Sequence, residues 1–169
     1  MADYYELLVK EYIEQKGDVV RLNVRFKKEI GGTSDIDVLA FKCDEGKTIV
    51  GEVKAATLKE KQTKHEDSDF NDLHLKDKVK ELIGSSSFEK CIFCWSVDDE
   101  TKKYAQDYHG IQITQFPETI NDFINKAVST REKGNWTYDQ SYPNIMMLQM
   151  LHFFSKPEKG KVRVNLKVA

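Results

Sequence analysis

Ser34-Asp35-Ile36-Asp37-Val38-Leu39-Ala40-Phe41 and Thr48-Ile49-Val50-Gly51-Glu52-Val53-Lys54 are two apolar, β-branched runs separated by Cys43-Asp44-Glu45-Gly46-Lys47. The separator reads as a hairpin turn and the runs as its strands. Each run carries acid where a buried strand should have none, and a bound divalent cation would account for it. Register decides how those acids are grouped. If Glu45-Gly46 is a two-residue loop, Asp44 pairs with Lys47, Asp37 lies opposite Lys54 and Leu39 opposite Glu52. Cross-strand partners share a face, as do residues two apart, so Asp37, Glu52 and Lys54 project to one side. A four-residue loop keeps that parity. A three-residue loop sets Asp37 opposite Val53 and breaks the cluster unless a bulge restores it. The other face, with Ile36, Val38, Ala40, Ile49, Gly51, Val53 and Ala55, is nearly all apolar. Asp35 shares the acidic face but lies nearer the preceding loop, where a supporting or capping role suits it.

Working outward, residues 3 to 16 read as an amphipathic helix, with Leu8 and Tyr12, and beside them Val9 and Ile13, at helical spacing. Asp3 can cap its start and Gly17 its end. Glu6 shares a face with Val9 and Ile13, which points it at the edge of the core. A capping box, in which Glu6 bonds back to the Asp3 backbone, is the alternative. Asp18 to Ile30 alternates Val20, Leu22, Val24 and Phe26 with polar residues, the period of a half-buried strand. Gly31-Gly32 begins a loop into the central hairpin. Lys59 to Phe70 shows no clear apolar period and reads as a mobile loop or a solvated helix start. Leu73 to Ile83, closed by Gly84, reads as a helix. Lys90 to Val97 is a core strand, Asp98 to His109 a helix with acid at its N-terminus, Gly110 to Phe116 a strand and Pro117 to Val128 a helix. Helices alternating with strands argue for an α/β fold with crossovers onto one sheet.

The length of 169 residues suits one compact domain with a real core. A core over residues 1–130 is expected, with residues 131–169 as an aromatic helix-and-strand extension, packed on the core or in a homodimer interface through 136–168. A formal net charge of −2 gives no broad basic surface, though a local basic patch could still bind nucleic acid. There is no signal pattern and no apolar run near the ~20 residues of a membrane helix, so a cytoplasmic protein is expected. Three cysteines do not form a disulfide framework. Cys91 and Cys94, three apart on a strand, face opposite ways and read as core residues rather than ligands of one metal. The four histidines are scattered singly, and no nucleophile elbow or glycine-rich phosphate loop occurs.

Two carboxylates on one sheet face, joined by a third from a helix, make a hard oxygen site suited to Mg²⁺. Asp37 and Glu52 would hold the ion, with the backbone carbonyl of Val53 as a further oxygen. Lys54 would orient or deprotonate a water, or steady negative charge developing on phosphorus. At these residues the sequence resembles the PD-(D/E)XK nuclease superfamily, which includes many restriction endonucleases, Holliday-junction resolvases and Mrr-like enzymes. The likeness rests on Ser34-Asp35-Ile36-Asp37-Val38-Leu39-Ala40 with Gly51-Glu52-Val53-Lys54, and on Tyr5-Glu6-Leu7-Leu8 with Gly17. Ile36 stands where the nominal motif has proline. The resemblance implies a restriction-endonuclease-like mixed sheet flanked by helices in the order αβββαβ. It implies Asp37 and Glu52 as metal ligands, Lys54 as the catalytic lysine and Glu6 as a third ligand. It also implies Mg²⁺ as the cofactor, with Mn²⁺ able to substitute, and DNA as the substrate. Lys59, Lys61, Lys76 and Lys80 are candidate phosphate contacts, against the plainer expectation of a solvated face. A structure-specific or RNA-directed nuclease, or a catalytically silent subunit of this fold that binds protein partners, are the alternatives.

Overall fold

The computed structural model describes residues 4–122 and 125. Helix α1 (Tyr4–Glu14) precedes a three-strand meander, β1 (Val19–Lys27), β2 (Thr33–Lys42) and β3 (Lys47–Thr57). Two helices follow, α2 (Glu60–Phe70) and α3 (Leu73–Ile83), then β4 (Glu89–Ser96), α4 (Asp99–His109) and β5 (Ile111–Gln115). Helical structure resumes at residue 116. The sheet order is β1-β2-β3-β4-β5. The two meander pairings are antiparallel, while β3–β4 and β4–β5 are parallel, joined by helical crossovers. This is the α/β, mixed-sheet architecture the resemblance implies, with α2 and α3 both inserted between β3 and β4.

The core on one side of the sheet is a single cluster. Leu39, Val50, Ile92, Cys94 and Ile113 of the strands pack with Leu58 and with Phe70, Leu75, Val79 and Ala105 of α2, α3 and α4. Leu8, Val9 and Ile13 of α1 are buried outside that cluster, and α1 touches β1, β2 and β3, so it covers the other face. Val24, Phe26 and Ile36 also belong to the α2–α4 cluster. Ile36 and Leu39 are three residues apart and would face opposite ways on a regular strand. The hairpin therefore turns over between them. Opposite this point in β1, Asn23 has φ 53° and interrupts a ladder that otherwise runs from Leu22↔Val38 to Val24↔Ile36. That irregularity lies beside Asp37.

The β2–β3 ladder closes with Lys42↔Lys47, leaving a four-residue loop, Cys43–Gly46, in place of the two-residue one. Gly46 takes the positive φ the turn needs, 64°, and its N–H bonds to the Lys42 carbonyl at 2.9 Å. The added pair of loop residues preserves parity but slides the register, so Asp37 falls beside Glu52 rather than Lys54.

Of the two alternatives for residues 59–70, a mobile loop or a solvated helix start, the structure shows the helix, with one buried stripe that neither alternative anticipates. The Lys59 N–H donates to Gln62 Oε1 at 2.9 Å and starts a regular helix, whose Thr63, Glu66 and Phe70 form a buried stripe. Helix α3 starts and ends where expected. Asp72 accepts from the His74 N–H at its start, and Gly84 closes it in the left-handed conformation. Asp98 likewise caps α4 through the Thr101 N–H.

The chain divides into two compact units, Met1–Thr119 and Ile120–Ala169. The expected extension and the homodimer surface through 136–168 lie outside the described residues, as does Asp3. No helix among the described residues is long and apolar enough to cross a membrane.

Candidate active site

Asp37 sits where β2 and β3 part company. The last rung of the ladder on that side is Val38↔Gly51, and beyond it the Val53 N–H donates to Asp37 Oδ2 at 2.7 Å instead of to a strand carbonyl. A side chain thus replaces a ladder bond, and the carboxylate is pinned in the gap between the strands. Val53 contributes an N–H to the site; its carbonyl as a ligand is still an expectation.

Glu52 lies on the neighbouring position of β3 and is only 7% exposed. Burial pushes its carboxyl up to about 8. The negative charge of Asp37 adds to that, and Lys54 offsets only part of it. Lys54, two residues on and on the same face, places Nζ 3.0 Å from Glu52 Oε2. Burial works against the ammonium, but Glu52 and Glu66 outweigh it and hold its pKa above the usual lysine range.

Glu66 is the residue that sequence reasoning missed. It comes from α2, is 8% exposed, and lies 3.1 Å from Lys54 Nζ through Oε1. His65 Nδ1 stands 3.8 Å from the same oxygen but projects mostly into solvent. The available signal was Thr63, Glu66 and Phe70 at helical spacing, a stripe that a search for apolar residues passes over.

The structure brings Asp37, Glu52 and Lys54 together, as parity requires. Glu6 reaches the margin of this group, where its Oε2 accepts from Asn23 Nδ2 at 2.8 Å. Since Asn23 lies beside Asp37 in the register, α1 is tied to the hairpin at the site. Among the described residues, no three Asp, Glu, His or Cys side chains are close enough to hold one ion. Glu6 therefore does not complete a ready-made trio with Asp37 and Glu52.

A divalent cation nonetheless fits the donor chemistry. Asp37, Glu52 and Glu66 set three carboxylates against the single ammonium of Lys54, and the pKa of Glu52 is raised first by burial and then by the neighbouring negative charge. Mg²⁺ is commonly held by one or two carboxylates, with waters and substrate phosphate completing its shell. Asp37 and Glu52 can supply those two.

Lys59, Lys61 and Lys80 are exposed and Lys76 half-buried. None of them pairs with an acid among the described residues. Cys91 and Cys94 are free, buried thiols, pushed up to about 12 and about 11 by burial. They are core residues and poor nucleophiles.

No family model and no curated protein matches the sequence. Among solved structures, a protein of unknown function, AF1548, is similar with a TM-score of 0.51 at 17% identity, over 86% of this chain and 94% of that one. A repair endonuclease from Pyrococcus abyssi is similar with a TM-score of 0.39 at 18% identity, over 64% of this chain and 42% of that one. The likeness to the first is a likeness of fold alone.

Proposed function

We propose that the chain is a Mg²⁺-dependent endonuclease that hydrolyses phosphodiester bonds in DNA, with Asp37, Glu52 and Lys54 as its catalytic group. The observation that carries this reading is the Asp37–Glu52–Lys54 constellation at a break in the sheet, with Glu52 buried and pushed up to about 8. An acid this costly to bury calls for a compensating cation. The motif resemblance supports the same residues in the same roles. Mg²⁺, when bound, supplies Lewis acidity toward a phosphoryl oxygen and lowers the pKa of a coordinated water.

The residues of the chain do the rest. Asp37, fixed by the Val53 N–H, and Glu52, fixed in the β3 strand, present oxygens with little freedom to move. Lys54 carries its charge in a half-buried place beside Glu52, where a fixed ammonium stabilises the extra negative charge of the pentavalent phosphorus more than it would in water. Water adds to phosphorus, one ester P–O bond breaks, and the departing oxygen takes up a proton. Lys59, Lys61, Lys76 and Lys80 are the candidate contacts to flanking phosphates, and removing any of them should weaken binding without regard to sequence.

Incubation of supercoiled plasmid with Mg²⁺ tests the proposal. Nicking or linearisation by the wild type, lost in Asp37→Ala and Lys54→Ala, is the expected result. No cleavage by the wild type, or equal cleavage by all three, would refute it. Parallel assays on a branched DNA junction and on structured RNA identify the substrate class if the plasmid is spared.

A further inference from the structure

We propose that Glu66 is the positioning residue for Lys54, retaining the ammonium when a cation draws Glu52 away. What Lys54 is positioned for rests on the nuclease reading above; the contact itself does not. Lys54 Nζ lies 3.0 Å from Glu52 Oε2 and 3.1 Å from Glu66 Oε1. The two acids come from different elements, Glu52 from β3 and Glu66 from α2. Both are nearly buried, so water is a poor substitute for either of them as the partner of Lys54.

An ammonium has three N–H donors arranged around a flexible stem. With no buried partner the ammonium would swing on its stem, and a contact from a second element keeps one donor fixed when the other contact is given up. The remaining donors are then left for a phosphoryl oxygen or a water. Glu52 cannot be the permanent anchor, because a cation at Asp37 and Glu52 competes for the oxygen that Lys54 uses. Glu66 can. It sits on the buried stripe between Thr63 and Phe70, which locks α2 against the core. Its hold on Lys54 does not depend on what happens at Glu52.

The test uses the full chain with Glu66→Gln, Glu66→Ala, Lys54→Ala and the double variant Lys54→Ala/Glu66→Ala. Thermal melting checks folding first, and the isosteric Glu66→Gln serves if Glu66→Ala does not fold. The first readout is the acylation rate of Lys54 by an amine-reactive ester, followed by peptide mass spectrometry, with and without Ca²⁺. In the wild type, Lys54 should stay protected in Ca²⁺. In Glu66→Ala with Ca²⁺ it should react about tenfold faster, the loss of one hydrogen bond between charged groups. Glu66→Gln, whose amide oxygen still accepts, should fall between. Equal rates in wild type and Glu66→Ala would overturn the proposal.

The second readout is plasmid cleavage in Mg²⁺. Glu66→Ala should lower kcat at least tenfold with KM little changed, and should add nothing further in the Lys54→Ala background. A purely structural Glu66 would lower the melting temperature and leave kcat of the folded protein unchanged. If the wild type cleaves nothing, the nuclease reading fails and the acylation result alone decides whether Glu66 holds Lys54. If it cleaves and Glu66→Ala cleaves equally well, the positioning role fails and the nuclease reading stands.

Discussion

Replacing Glu52 by Gln should stabilise the metal-free protein, and only at neutral and alkaline pH. The folded carboxyl is pushed from the ordinary 4.5 to about 8, first by burial and then by Asp37. Below pH 4.5 Glu52 is protonated in both folded and unfolded chains, and its contribution is fully present. Between 4.5 and 8 the folded chain keeps a proton that the unfolded chain gives up, so stability falls as pH rises. Above 8 both forms are charged and the loss is complete. At ~1.4 kcal/mol for each pKa unit, the ceiling is roughly 5 kcal/mol. Water entry and adjustment of Lys54 reduce it, and we expect roughly 2–4 kcal/mol at pH 8.5, or ~5–15 °C in melting temperature for a chain of this length. Melting curves of wild type and Glu52→Gln from pH 4.5 to 9, without divalent ions, measure the difference. The two should converge at the acid end and separate steadily above it. Subtracting the curves removes the other titrating groups, such as Asp67 and Asp72, whose carboxyls are held low and act at more acid pH. Excess Mg²⁺ should restore the wild type at pH 8.5 and leave the Gln variant unmoved. A wild-type curve that stays parallel to the variant across the range would refute the reasoning.

Other outcomes follow from the packing and the backbone. Phe70→Ala removes a side chain buried at the end of α2 and should cost about 3–5 kcal/mol in a denaturant titration; a loss under 1 kcal/mol would mean that α2 is not docked as described. Asn23→Val should destabilise by roughly 1–3 kcal/mol, because a β-branched residue resists φ 53° and cannot donate to Glu6, while Asn23→Gly should be milder; equal melting temperatures for the two would argue against the left-handed conformation. In the native protein a thiol reagent should titrate Cys43 quickly and Cys91 and Cys94 only on unfolding, since the latter two are buried; three fast thiols would contradict the core placement of β4.

The central hairpin was legible from its residues. Period-2 alternation around Asp37, Glu52 and Lys54 marks a strand pair, and parity groups the three side chains whether the turn holds two residues or four. The end of α3 was legible as well, because Gly84 acts through its own neighbours in the chain; the Asp72 cap at its start is equally local but went unread. The residue actually beside Asp37 was not, since nothing local distinguishes the Cys43–Gly46 loop from a shorter one. Asn23 reads as an ordinary outward strand residue, and only the folded backbone reveals its positive φ and the turning-over of the hairpin. Glu66 was the largest omission. Apolar periodicity reports burial that a segment obtains through its own side chains, and the α2 stripe has an acid at its centre. That acid is buried because Lys54 meets it from another element, and a pairing between elements is decided by where the helix lands on the sheet.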